Sequence, residues 1–277
     1  MNPIITANQL EELINEGSDI LICDCRFDLT NAKAGYEMYK TAHITGAIYV
    51  NVDQDLSGKK TGSNGRHPLP TAEDWAKTRQ RLGIANYTHV VAYDSHGGTF
   101  ASRLWWMLRS IGHASVQVLD GGLDAWNGSI GSIGREPKPL SAMPDVYPYQ
   151  GVVLIDEMEK NVAANDRKMV IDARAPDRFR GENETLDPVG GHIPGATNRC
   201  FKENLVAGKF KSPEQLYKEF VLLIGQQKPG MIIHSCGSGV SACHNLLAME
   251  AAGLAGSRLH VGSWSEWCSD PKRPIET

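Results

Sequence analysis

The sequence predicts an α/β fold built twice, as two homologous domains that are each a parallel sheet flanked by helices. Two observations carry this. The first is internal repetition. Leu21-Ile22-Cys23-Asp24-Cys25-Arg26 matches Val170-Ile171-Asp172-Ala173-Arg174, an apolar run ending in Asp-x-Arg. His43-Ile44-Thr45-Gly46-Ala47 matches His192-Ile193-Pro194-Gly195-Ala196. The apolar strand Val90-Val91-Ala92-Tyr93 matches Ile232-Ile233-His234-Ser235, and Gly121-Gly122-Leu123-Asp124-Ala125-Trp126 matches Gly262-Ser263-Trp264-Ser265-Glu266-Trp267. These landmarks recur in one order at similar spacing, which chance does not produce. The second observation is alternation. Short apolar runs alternate with amphipathic segments, the pattern of strand and helix in a parallel sheet covered on both faces.

Each element follows from local sequence. Val116-Gln117-Val118-Leu119 and Met231-Ile232-Ile233-His234 read as strands; Ala101 to Ser110 and Ala242 to Ala252 read as helices. Trp105 and Trp106 on such a helix are core rather than a ligand platform. Gly128 to Gly151 is dense in glycine and proline, which stop helix and sheet alike, so a linker is expected there. The expected domains are 1–130, a linker 131–151, and 152–277.

Composition narrows the function. The chain has 277 residues, 41% hydrophobic and 22% charged, with net charge −4, a globular balance with no global attraction to nucleic acid or anionic membrane. No apolar run reaches the roughly 20 residues of a membrane span. The start, Met1 to Thr6, lacks a signal-peptide pattern, so the expected location is cytoplasmic. Six cysteines are too few for a disulfide scaffold, and none form Cys-x-x-Cys. Cys236, Cys243, His234 and His244 have irregular spacing and no second ligand pair, so no metal is expected. The sequons at Asn86, Asn127 and Asn183 are chance matches in a cytoplasmic chain.

The chemistry is concentrated in Cys236-Gly237-Ser238-Gly239-Val240-Ser241, between a strand and a helix. Glycines permit a tight turn with inward amides, and the helix directs its free N–H groups to the same point. A thiol there is expected to have a depressed pKa, and the cradle suits a persulfide anion. The other reading of Cys236 is a small buried hydrophobe. Cys23, Cys25, Cys200, Cys243 and Cys268 lack such a loop and read as packed. In the first domain the matching position is Asp94, which cannot carry transferable sulfur. One domain is thus expected to be catalytically inactive, with the active site at the domain interface.

These residues resemble the tandem-domain rhodanese-family sulfurtransferases, the group of thiosulfate and 3-mercaptopyruvate sulfurtransferases. The resemblance spans nearly the whole chain. It rests on His192-Ile193-Pro194-Gly195-Ala196, on Gly262 to Trp267, on Leu119-Asp120-Gly121-Gly122, and on Cys236 to Val240, which is similar to the loop of the mercaptopyruvate branch. It implies a ping-pong cycle. Cys236 takes sulfur from a small-molecule donor and passes it to cyanide, a thiol or thioredoxin, with no metal or organic cofactor. It also implies that Ser238 offers a hydroxyl to the substrate and that Arg178 holds a donor carboxylate, unless Arg178 forms an interdomain salt bridge. Arg180 reads as structural. Gly237, Gly239, Val240, Ser241 and His67 complete the expected substrate-binding set. Neutral Gly237 and Ser238, where thiosulfate enzymes carry basic residues, favour a monocarboxylate donor.

The chain departs from the family at four positions. Asp187 falls where animal mercaptopyruvate enzymes have a second substrate arginine. Asn51 falls where an Asp–His–Ser relay has its aspartate; its histidine matches His67. Ser241 replaces a threonine. Arg66 is a candidate for the missing positive charge. Two rival readings meet obstacles in the sequence. A cysteine phosphatase or arsenate reductase needs an arginine six residues after the cysteine, where Ala242 stands. A non-catalytic relay module conflicts with the intact Cys236 loop.

Overall fold

The computed structural model describes residues 1–277. Its contacts divide the chain into two compact units: 1–58, 69–150 and 207–210 in the first; 59–68, 151–206 and 211–277 in the second.

The first unit holds a five-stranded parallel sheet in the order Ile4–Ile5, Val116–Leu119, His89–Tyr93, Ile20–Asp24, Ile48–Tyr49. The second holds the same sheet in the order Val152–Val153, Arg258–His260, Ile232–Ser235, Met169–Asp172, Thr197–Asn198. The repeat seen in the sequence is therefore a repeat of topology. Val116–Leu119 and Ile232–Ser235 are buried throughout, which explains unbroken apolar runs where a half-exposed strand would alternate.

Each repeated motif has a packing reason. Asp24 and Asp172 end equivalent strands. Each carboxylate is held by the arginine two residues on, Arg26 at 2.6 Å and Arg174 at 2.8 Å. Each arginine also donates to the carbonyl just before the second motif, Ala42 or Gly191. His43 and His192, which open that motif, stack on Tyr39 and Phe179. These ion pairs are almost fully buried and are satisfied by several hydrogen bonds, the condition under which buried charge is tolerated.

Helices start where caps allow. Thr6 and Gln9 form a capping box, Ser212 and Gln215 another, and Thr71 accepts from the Asp74 amide. The helices Ala101–Ser110 and Ala242–Ala251 follow the two equivalent loops and are buried on nearly every side. Trp105 and Trp106 are 2% and 5% exposed, so they are core as expected.

Three expectations change. The strand after residue 230 runs Ile232–Ser235, with Met231 in a short 3-10 turn, and the following helix ends at Ala251. The region expected as a linker is fastened to the first unit through residue 150. Ile130–Gly131 pairs with His43–Ile44, the Leu140 amide donates to Gln80, and the Gln150 amide donates to Ser110. Proline and glycine prevent regular structure there, but carbonyls and amides of the unit still satisfy its backbone. Residues 59–68, inside the expected first domain, cluster with the second unit. Arg66 and His67 lie in that segment.

Candidate active site

Cys236 follows the last residue of Ile232–Ser235, at the C-terminal end of a central parallel strand, where such sheets open their crevices. It is 1% exposed. Two backbone bonds fasten its loop to the C-terminal motif: the Trp264 amide donates to Cys236 O at 3.0 Å, and the Ser265 amide to Gly237 O at 2.9 Å.

Ser263 has a part that sequence reasoning missed. Its Oγ accepts from the Cys236 amide at 3.0 Å, donates to His260 O at 2.9 Å, and lies 3.9 Å from Cys236 Sγ. Ser263 adopts φ 52°, a conformation rare for residues other than glycine. The matching residue in the first unit is Gly122, at φ 57°. A serine kept in a glycine conformation, with its hydroxyl on the cysteine, marks strain held at a site. The sequence signal was the Gly122-to-Ser263 change inside an otherwise repeated motif.

The first unit shows what this loop geometry does to an anion. Asp94 is wholly buried, and its carboxylate accepts from four amides: His96 at 2.7 Å, Gly98 at 2.9 Å, Phe100 at 2.7 Å and Ala101 at 3.0 Å. The loop and the first turn of its helix converge on one negative group.

His67 and Ser238 meet, with His67 Nδ1 2.7 Å from Ser238 Oγ and both side chains buried. Asn51 Oδ1 accepts from the Asp53 and Gln54 amides, and its Nδ2 approaches Tyr49, so this amide shapes its own turn. Ser265, also missed, braces the histidine segment: its Oγ accepts from the Arg66 amide at 3.0 Å.

Arg178 is one-fifth exposed and is held by Glu184 through Nε at 3.1 Å and Nη2 at 2.7 Å. Its acidic partners, Glu184 and Asp187, belong to its own unit, in place of the interdomain salt bridge weighed from sequence. Arg180 pairs at the surface with Glu182. Both Arg66 and Arg178 lie over Gly237: a methyl group there would stand 2.7 Å from Arg66 Nη2 and 3.6 Å from Arg178 Nη2. Glycine at 237 therefore admits two guanidinium groups to the cysteine loop. Gly239 makes the turn at φ 74°, and Val240 and Ser241 lead into the helix.

The remaining thiols are packed. Cys23, Cys25, Cys200, Cys243 and Cys268 are all buried. Burial raises the Cys23, Cys25 and Cys200 thiols, and pushes Cys268 up to about 11. They are poor nucleophiles at neutral pH. His234 faces Met249 Sδ at 3.2 Å, and His244 faces Asn204.

The rhodanese-like domain matches residues 6–129 and again 154–270. The chain is 40% identical to a probable 3-mercaptopyruvate sulfurtransferase of Pseudomonas aeruginosa, over 99% of this chain and 98% of that protein. It is 36% identical to the putative thiosulfate sulfurtransferase SseB of Mycobacterium tuberculosis, over 98% and 96%. Among solved structures, the 3-mercaptopyruvate sulfurtransferase from Leishmania major superposes with a TM-score of 0.85 at 30% identity, covering 99% of this chain and 76% of that one. No helix is long and apolar enough to cross a membrane.

Proposed function

The chain belongs to the rhodanese-like domain family, and on that premise we propose that it moves sulfur from 3-mercaptopyruvate, through a persulfide on Cys236, to a thiol, cyanide or thioredoxin acceptor. The observation that carries this reading is the anion cradle. Asp94 draws four amides onto its carboxylate, and Cys236 stands at the matching position of the repeated strand-loop-helix turn, followed by the Gly237-to-Ser241 loop and the helix from Ala242. A turn of this kind suits the persulfide anion that carries the sulfur.

The chemistry divides into two displacements. In the first, the Cys236 thiolate attacks the donor's thiol sulfur. The S–S bond forms as the C–S bond breaks, and its electron pair leaves on carbon as the enolate of pyruvate. The enolate takes one proton, and the donor's thiol proton is released from the outer sulfur of the persulfide. In the second, an acceptor thiolate attacks the outer sulfur and frees the Cys236 thiolate. Ser238 is the group proposed to hand a proton to the departing enolate, a role its hydrogen bond to His67 supports. Ser263, on the Cys236 amide, fixes the cysteine's position for both steps.

Arg178 is the group proposed to hold the donor's carboxylate, through the bidentate fork that guanidinium offers. Gly237, Gly239, Val240 and Ser241 supply the loop backbone. The loop itself carries no basic side chain, and the two guanidinium groups over Gly237 are offset by Glu184 and Asp187, which favours the monocarboxylate donor over thiosulfate, a compact dianion. A cytoplasmic setting fits six unpaired, buried thiols. Steady-state comparison of kcat/KM for 3-mercaptopyruvate and thiosulfate tests the reading. A higher value for mercaptopyruvate is expected; a higher value for thiosulfate would reassign the protein to the second donor.

A further inference from the structure

Arg66 and Arg178 come from distant parts of the chain, yet both lie against Gly237, one residue from the cysteine. Between them stands Asp187. Its Oδ2 is 3.4 Å from Arg66 Nη2 and 3.6 Å from Arg178 Nη2. The Asp187 side chain is 2% exposed, and that oxygen accepts no hydrogen bond. Arg66 Nε is likewise buried without an acceptor. The two arginines and the carboxylate are thus close enough to attract but placed too poorly to satisfy one another. Buried groups left in this state cost stability and persist where a ligand completes them.

The charges on this surface almost cancel. Arg174 is matched by Asp172 and Glu184, Arg178 by Glu184 and Asp187, and Arg66 by Asp187 alone. Burial raises the Asp187 carboxyl, while Arg66 draws it back down. Arg66 is the more available of the two arginines. Its side chain is 26% exposed, and its one carboxylate contact is a long one. Arg178 is already committed to Glu184.

We propose that Arg66 and Arg178 together form a two-arginine seat for the carboxylate of a small 2-oxo acid, and that Asp187 weakens this seat by holding one charge's worth of it in the resting protein. This rests on the donor reading of Arg178 given above and extends it. Arg66 becomes a second donor-binding residue, supplied by the segment before His67. Asp187 becomes the residue that sets donor affinity: an incoming carboxylate takes the guanidinium N–H groups that Asp187 reaches only at long range. A weakened seat also releases its carboxylate product readily, since the internal anion replaces it.

The test is titration calorimetry with pyruvate, the carboxylate product of the proposed cycle, on the full chain. The variants are Asp187→Asn, Arg66→Gln and the double variant. If net charge at the seat governs binding, Asp187→Asn tightens pyruvate about tenfold and Arg66→Gln weakens it about tenfold, while the double variant returns close to the parent. KM for 3-mercaptopyruvate moves in the same order, with kcat little changed. Pyruvate affinity unaltered by Arg66→Gln, or weakened by Asp187→Asn, overturns the proposal. Arg66 sits on a partly exposed loop, so its variant decides the matter even if Asp187→Asn does not fold. The two readings fail separately. The charge order without mercaptopyruvate turnover would sink the donor assignment and keep the seat; turnover without the charge order would sink the seat alone.

Discussion

Nδ1 of His67 lies 2.7 Å from Oγ of Ser238, 171 residues further along the chain. Both side chains are buried, so the bond is shielded from water and fixes the orientation of each group.

Because the two side chains are hydrogen-bonded, their substitutions are expected to be non-additive. Ser238→Ala and His67→Gln should each lower the rate of persulfide formation about a hundredfold, the scale of lost general acid–base assistance. The double variant should be scarcely worse than either single. Single-turnover release of pyruvate measures this. Full additivity would mean that the bond is structural and carries no proton.

Cys236 is expected to be the sole sulfur carrier. Cys236→Ser should abolish turnover. After treatment with donor, mass spectrometry of peptides should find one added sulfur atom on the Cys236 peptide alone. Burial raises the Cys25 thiol, and the Cys243 thiol is bonded to Gly239 O at 3.3 Å, so sulfur found mainly on Cys243 or Cys25 would overturn the assignment.

Arg178→Ala should lower kcat/KM for 3-mercaptopyruvate roughly ten- to hundredfold, the value of one charge-assisted pair. The ratio of mercaptopyruvate to thiosulfate activity should fall as well. Ser238→Lys, which puts a cation in the loop, should shift that ratio towards thiosulfate. A shift the other way would show that charge at the loop does not govern donor choice.

Asp94 should matter to stability and not to transfer. Asp94→Ala removes the acceptor of four buried amides and is expected to cost about 3 kcal/mol in the first unit, read as a lower unfolding midpoint in urea. Asp94→Asn keeps one carbonyl acceptor and should cost less. An unchanged midpoint for the alanine variant would mean that water replaces the carboxylate.

Two buried imidazoles set an acid limit. Burial pulls His234 down to about 3 and His260 down to about 4, from an ordinary 6.5. Below 6.5 the unfolded chain takes up two protons that the folded chain refuses. Their contribution is therefore full above that pH and is lost as pH falls towards their folded values, by about 2 kcal/mol each at pH 5. Thermal unfolding between pH 5 and about 7.5 should show the midpoint dropping on the acid side. His234→Leu should flatten that drop; an unaltered slope would place the titration elsewhere.

Much of the fold was legible because its determinants are local or repeated. Buried parallel strands require unbroken apolar runs, and the Asp-x-Arg pair closes over two residues, so both appear in a short window of sequence. The Cys236 loop was legible for the same reason, since a strand, glycines and a helix lie next to one another along the chain. How the segment 131–150 is bound was not legible, because proline and glycine report only the absence of regular structure. Whether the Gly131–Gln150 backbone is bound depends on Gln80 and Ser110, far away in sequence.

By itself, the sequence determined the duplicated α/β architecture, the family, and Cys236 as the candidate sulfur carrier. Tertiary structure alone decided which side chains surround that cysteine. Ser263 gains its place from a left-handed backbone conformation that residue type does not announce. Ser265 acquires a role by reaching the Arg66 amide. Asp187 has the wrong sign for a donor-binding residue by its identity, and only its position between Arg66 and Arg178 gives that sign a use. The physical reason is that charge acts through space over a few ångströms, whereas the chain separates Arg66 from Arg178 and Asp187 by more than a hundred residues.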